Sequence, residues 1–315
     1  MSLPLVIVNP TSANGATGSA WPQLASDLSS QFGPFKNLFT RGPGDATTLA
    51  NDAARKGTRF IIACGGDGTI SEVANGILSS GKDVELGILP SGTGGDFRKS
   101  LEIPSQAREA ARVLRTGRTR RIDVGRVSFF DSKGEEVTRF FLGVASCGMS
   151  TRVIERVKNG GPDWLPGNTP SWLGGKVSFG ASLLQTAMNS EPVRIIVKVD
   201  DSHERQLSVV NLCVANARYF GGGMKIAPDA KLNDGKFDVI SVGDLSALKI
   251  MTSAPRIYFG SHLSMSEVGH VLGEKVVVRS ANQKEVRVEI DGELPGRLPA
   301  TFQIIPEALK VRCNT

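Results

Sequence analysis

The sequence predicts an α/β protein in two parts, an N-terminal doubly wound parallel α/β domain over residues 1–122 and a mainly antiparallel β domain over 123–300. A closing segment, 301–315, is expected to return to the first domain or to an edge of the second. Three observations carry this reading. Short apolar runs alternate with amphipathic stretches through the first third, the pattern of a parallel sheet covered by helices on both faces. From about Arg121 the texture turns to β-rich runs with few helical interruptions. Many of the 36 glycines gather in short clusters behind apolar runs, where backbone must approach something closely.

The elements follow in order. Leu5–Val8 is a buried-strand run, followed by a loop over 9–18 and a helical pattern through Trp21, Leu24 and Leu28. Residues 36–40 read as a strand and 45–56 as a helix begun by an Asp cap. A strand at 59–63, a helix at 69–78 and a strand at 85–89 continue the alternation. In the second domain, strands are expected at 139–144, Val193–Val199, 206–214, 236–242, 275–279 and 286–290, with helices at 151–158, 172–188 and 245–257. Runs at 301–305 and 309–312 close the chain.

Composition narrows the class. A chain of 315 residues has room for two cores, and 40% hydrophobic with 22% charged residues is a globular balance. Cys64, Cys147, Cys213 and Cys313 form no CxxC pair, and His203, His262 and His270 are too dispersed for zinc. Reduced, buried cysteines and a cytoplasmic setting are expected. The sequence has no run of about 18 apolar residues and no basic n-region with a cleavage site, so a chain neither spanning nor secreted is expected. The formal charge of +6 is mild; it favours transient peripheral contact with an anionic membrane, and no nucleic-acid partner is expected.

The strongest local signal is Cys64-Gly65-Gly66-Asp67-Gly68-Thr69 between an apolar strand and a helix. Its glycines let successive N–H groups and the helix N-terminus face phosphate oxygens. Asp67 sits awkwardly beside phosphate unless a cation mediates, and Mg²⁺ binds carboxylate, water and phosphate together. A Gly-rich turn with an Asp cap is the plainer alternative. A second such loop, Leu89-Pro90-Ser91-Gly92-Thr93-Gly94-Gly95-Asp96-Phe97, follows the next strand, and Asn9-Pro10-Thr11-Ser12-Ala13-Asn14-Gly15 is a third. Three together are far less a matter of chance than one. Neither a P-loop nor a GxGxxG after the first strand is present. Late in the chain, Glu289-Ile290-Asp291-Gly292-Glu293 sets a carboxylate pair on a Gly turn, which suits either a general base or a turn with solvated acids. Asp234-Gly235 is read as a hairpin turn whose carboxylate and free carbonyls could hold Mg²⁺.

Through VNPTSANG, TRGPGDATTLA, GGDGTISEVANG, GILPSGTGGDF, RRIDVG, VANARYFGGGMKIAPDAKLNDGKFDV and IDGE, the chain resembles the diacylglycerol kinase catalytic-domain family. Within that family it is most similar to the soluble bacterial lipid kinases related to sphingosine kinases. The motifs occur in the family's order over nearly the whole length. The resemblance implies a nucleotide-binding α/β domain, a β-sandwich-like lipid domain, ATP between them, and γ-phosphate transfer to a lipid hydroxyl. By position it implies that Asn9, Thr40, Gly65, Gly66, Asp67, Gly68, Thr69, Ile70, Ser71 and Thr93 contact nucleotide. Asp234, with the backbone carbonyls of Lys231 and Lys236, matches the family's structural Mg²⁺ site. Asp67 would belong to the Mg²⁺–phosphate network, supported by Asp96 and Asp123. The base would be Glu293, with Asp291 kept beside it. Two positions depart from the pattern: Gly95 and Gly143 stand where relatives carry Asn.

Alternatives follow from the same residues. NAD kinases also use a GGDGT loop, so a kinase for a soluble substrate is one, and a catalytically weak nucleotide- or lipid-binding homologue is another. Arg108, Arg112 and Arg115 recur on one face of an expected helix, as either a headgroup-docking face at the inner membrane surface or a solvated one. Trp164 and Trp172 suit a membrane interface or a loop folded over a core. The acceptor lipid is left open by the sequence, and a homodimer is among the states it allows.

Overall fold

The computed structural model describes residues 3–91, 95–159, 185–186 and 191–314. The chain divides into two compact units, Met1–Val124 with Pro306–Thr315, and Gly125–Ile305.

In the first unit, β1 (Leu5–Val8), β2 (Lys36–Phe39), β3 (Phe60–Gly65) and β4 (Glu85–Pro90) pair in the order β2-β1-β3-β4, each pair parallel. β1, β3 and β4 are runs of Val, Ile, Leu and small residues buried almost throughout, as strands covered on both faces must be. β2 is exposed along its length and forms an edge. Helices α1 (Ala16–Phe32), α2 (Asp45–Arg55), α3 (Asp67–Ser80), α4 (Asp96–Ser100) and α5 (Ala107–Thr116) intervene. α2 and α3 pack so closely that a Cβ on Gly76 would lie 2.3 Å from the Thr47 carbonyl oxygen. The helix expected to begin on an Asp cap is instead capped by Gly44 in the left-handed region, φ 81°. Asp45 stands one place later, where its carboxylate accepts the Arg41 N–H at 2.8 Å.

The end of β14 (Glu293–Cys313) pairs in parallel with β4 through Lys310 and Val311. Arg312 makes a two-pronged contact with Glu85, at 2.6 and 2.7 Å, the strong form of such a pair. Asp123 accepts the Glu307 N–H at 2.8 Å. These bonds tie the chain's last residues to the first unit.

The second unit begins within β5 (Arg118–Asp131) and contains β6 (Glu136–Phe141), β7 (Val144–Gly148), β8 (Val193–Val199), β9 (Arg205–Ala215), β10 (Phe237–Gly243), β11 (Val268–Gly273), β12 (Lys275–Ser280) and β13 (Arg287–Ile290). Its described pairings are antiparallel, with β11 on the outer side of β10. Phe141 stacks on Phe237 at 5.6 Å and meets Phe302 edge-on at 6.2 Å. A Cβ on Gly125 would enter the Phe141 ring, 2.1 Å from its edge. Among the described residues the unit's longer helices are α6 (Met149–Lys158) and α7 (Ala247–Phe259).

Some expectations need correction. The run at 139–144 is two strands, because the chain turns at Leu142 and Gly143 to give both amides to Asp291. The runs at 301–305 and 309–312 are parts of the single strand β14. Most of the helix expected at 172–188, with Trp164 and Trp172, lies outside the described residues. Among those described, no helix is long and apolar enough to cross a membrane. All four cysteines are free and buried, and burial pushes the Cys64 and Cys147 thiols up to about 12.

Candidate active site

The three Gly-rich loops of the first unit leave the C-terminal ends of β1, β3 and β4 and are bonded to one another. Asn9 donates from Nδ2 to Thr69 Oγ1 at 3.0 Å, while its Oδ1 accepts from the Thr11 N–H and hydroxyl. Thr17 donates its hydroxyl to the Ser91 carbonyl at 2.7 Å, and the Ser91 N–H reaches Gly65 O at 3.1 Å. Gly65 must be glycine, since a Cβ there would stand 2.4 Å from Thr69 Oγ1. Thr40, at the end of β2, is buried and donates its N–H to Val8 O at 2.9 Å.

Asp67 is the centre of this knot. Its carboxylate accepts the N–H groups of Asp96 at 3.0 Å and Phe97 at 3.1 Å, both in the first turn of α4. Burial pushes its carboxyl pKa up, and the Asp96 charge adds to that rise, while the amide donors oppose it. Lys99 answers the neighbouring acid, its Nζ lying 2.8 Å from Asp96 Oδ1. The departure at Gly95 has a conformational reading. Its φ is +68°, in the left-handed region that Gly and Asn share, and a Cβ there would stand 2.6 Å from Arg98 Nε. Thr93 lies outside the described residues.

Not every expected contact residue offers its side chain here. Ile70 is 2% exposed and belongs to the core; only its backbone is near the loop. Asp123 is buried, and one of its oxygens accepts the Glu307 N–H. Gly68 is exposed in the first turn of α3, and Ser71 follows one turn later. Sequence reading missed Glu72, whose carboxylate accepts the N–H groups of Gly44 at 2.9 Å and Ala46 at 3.2 Å. It holds the TRGPGD loop against α3. Of the α5 arginines, Arg112 and Arg115 are turned to α1, bonding Gln31 at 3.2 and 3.3 Å.

In the second unit, the Asp291-Gly292-Glu293 turn divides its acids. Asp291 sits at φ +46°, and its two oxygens accept the N–H groups of Leu142 and Gly143, each at 2.9 Å. A Cβ on Gly143 would lie 2.9 Å from Asp291 Oδ1, so glycine at this second departure admits the carboxylate. Asn216 fixes the same corner from below, donating Nδ2 to Leu142 O at 2.9 Å. Glu293 is half-exposed and pairs with Arg139 at 2.8 Å.

Glu289, two residues before the turn, is 3% exposed. Its Oε1 accepts the Gly292 N–H at 2.7 Å, and its Oε2 takes the Ser146 hydroxyl, which also meets Ser150 Oγ at 2.7 Å. Burial pushes its carboxyl up from 4.5 to about 7, opposed by those donors and aided slightly by the Asp291 charge. The folded state therefore keeps this proton to higher pH than the unfolded chain. Stability is complete below 4.5, falls as pH rises to about 7 and is level above it. The drop is expected to be about 3 kcal/mol. Glu289→Gln imitates the neutral acid, so the wild-type melting temperature should fall relative to that of the variant between pH 5 and 8. Parallel melting curves across that range would overturn the assignment.

Asp234 is exposed, and its Oδ1 accepts the Lys236 N–H at 3.1 Å. Among the described residues no group of three or more His, Cys, Asp or Glu gathers for a metal. Mg²⁺ at Asp234, or beside Asp67 and Asp96, would therefore complete its shell from carbonyls, water or phosphate, as this ion commonly does. The hard oxygen donors present fit it.

Two family models match the chain, the diacylglycerol kinase catalytic domain over residues 4–127 and the YegS C-terminal NAD kinase beta sandwich-like domain over 145–313. A diacylglycerol kinase of Mycobacterium tuberculosis is 28% identical over 306 residues, covering 97% of this chain and 93% of that one. One from Bacillus subtilis is 27% identical over 299 residues, covering 94% and 91%. A crystal structure of a diacylglycerol kinase from Bacillus anthracis superposes with a TM-score of 0.73 at 21% identity, covering 99% of this chain and 97% of that one. That likeness speaks for the fold.

Proposed function

Since the chain belongs to the diacylglycerol kinase catalytic-domain family, we propose that it transfers the γ-phosphate of ATP to a lipid hydroxyl, with diacylglycerol as the first acceptor to test. The observation that carries this reading is the bonding of three Gly-rich loops into one cradle by Asp67, Asn9 and Thr17. The helix pairs α1 with α5 and α2 with α3 support a doubly wound arrangement of the first unit.

The N–H groups of the loops and the α3 N-terminus, with Asn9 and Thr40, bind the nucleotide phosphates, and by the family resemblance Thr93 joins them. They oppose the charge on the transferring group, which is most of what phosphoryl transfer needs. Glu293 accepts the proton of the acceptor hydroxyl. That oxygen then bonds to the γ-phosphorus as the bond to the ADP oxygen breaks, and ADP leaves. Asp67 and Asp96 would hold Mg²⁺ at the phosphates, and Asp234 with the carbonyls of Lys231 and Lys236 would hold a structural one. When bound at the phosphates, the ion neutralises charge across them. A lipid acceptor puts the working protein peripherally at the cytoplasmic membrane surface.

Labelled ATP with Mg²⁺ tests this against fractionated lipids and, separately, against NAD. Label is expected in diacylglycerol or another hydroxyl lipid. Label in NAD instead, or nucleotide binding without turnover on any lipid class, would overturn the reading.

A further inference from the structure

We propose that the outward face of α7 is the surface by which the protein docks on an anionic lipid bilayer, an inference that rests on the lipid-kinase reading. Leu248 is 71% exposed, Met251 41%, Tyr258 44% and Phe259 81%. Their spacing, with the exposed Pro255 between, repeats every three to four residues and so lines one side of the helix. The opposite side is spoken for: Ile257 packs against the core of Val144, Cys213, Ile226 and Ile240. The helix is thus anchored inward and exposes a second apolar stripe.

The chemistry around that stripe favours a bilayer over a protein partner. α7 contains Lys249 and Arg256 and no acidic residue. Lys225, whose N–H bonds Ile257 O at 2.9 Å, adds a cation beside the helix and lies over the Tyr219 ring. Glu267 answers only Lys249 among these. An apolar stripe bordered by cations, with Tyr and Phe at its end, is the composition of a helix lying in the headgroup boundary of an anionic membrane. A kinase whose acceptor is dissolved in that membrane needs such a surface. The α5 arginines are poorer candidates, because Arg112 and Arg115 are already bonded to Gln31.

The full chain is mixed with phosphatidylcholine vesicles, with and without phosphatidylglycerol, and bound protein is separated by sedimentation. The wild type is expected to bind the anionic vesicles. The double variant Leu248→Asp/Phe259→Asp should bind them at least tenfold less, with an unchanged melting temperature, and Arg108→Glu on α5 should bind within twofold of wild type. On monomeric short-chain diacylglycerol the double variant should match wild-type turnover, while on vesicle-borne diacylglycerol it should fall at least tenfold. Equal vesicle binding by wild type and double variant would overturn the proposal, as would loss of binding in Arg108→Glu alone. A dimer in the wild type that the double variant dissolves would assign the face to a second copy and equally overturn it. The binding arm stands without turnover, so a failed kinase assay sinks the proposed reaction and leaves the docking result readable.

Discussion

Replacing Glu293 by Gln is expected to lower kcat by about 10²–10⁴, the usual worth of a positioned general base, with little change in ATP affinity or melting temperature. The argument rests on how the turn uses its two acids. Asp291 spends both oxygens on the N–H groups of Leu142 and Gly143, and it does so from a left-handed backbone position. Its work is to fold the corner between β6 and β7 against the turn. Among the described residues Glu293 has one partner, Arg139, in a pair about half open to solvent on both sides. Exposed pairs of that kind are worth no more than about 1 kcal/mol, so the carboxylate can leave Arg139 and take a proton. Asp291→Asn should fail differently. An amide cannot accept both N–H bonds, and an unmet buried donor costs about 1–3 kcal/mol, so a lower melting temperature should accompany any loss of rate. Full turnover in Glu293→Gln, with turnover lost in a stably folded Asp291→Asn, would reverse the two roles.

The loops were legible in the sequence because each is a local signal: glycines, a carboxylate and a hydroxyl placed directly behind an apolar run. What binds the loops together was not. Nothing in GGDGT says that Asp67 reaches the first turn of α4, almost thirty residues on, because that contact exists only once β3 and β4 lie side by side. Glu289 falls within the expected β run at 286–290, and alternation along β13 is the clue that it points inward. Its partners Ser146 and Gly292 come from a neighbouring strand and from the turn beyond. Glu72 was hidden in the same way, in a helix where an acid reads as solvated. The Gly95 departure was visible as a missing amide, yet its meaning needed a φ value. The long strand β14 was read as two because Pro306 and Glu307 interrupt its apolar pattern where the chain passes from one unit to the other.

Asp67→Ala is expected to reduce phosphoryl transfer by at least about 10³-fold, near the upper end of what loss of one electrostatic group in such a site costs. The residue has two jobs that a single substitution confounds. As a clamp it satisfies the Asp96 and Phe97 N–H groups with a charged acceptor, and losing that clamp should cost about 2–3 kcal/mol of stability. In the proposed reaction it would also supply charge, as an acid beside the phosphates. Asp67→Asn separates them, since its amide oxygen keeps one N–H bond while the charge is gone. The expected result is a melting temperature between those of the wild type and Asp67→Ala, ATP binding by calorimetry that no longer strengthens with Mg²⁺, and turnover still down about 100-fold or more. Near-wild-type turnover in Asp67→Asn would assign the residue to the clamp alone. Near-wild-type turnover in Asp67→Ala would remove it from the reaction altogether, leaving the loop amides to carry the phosphate charge.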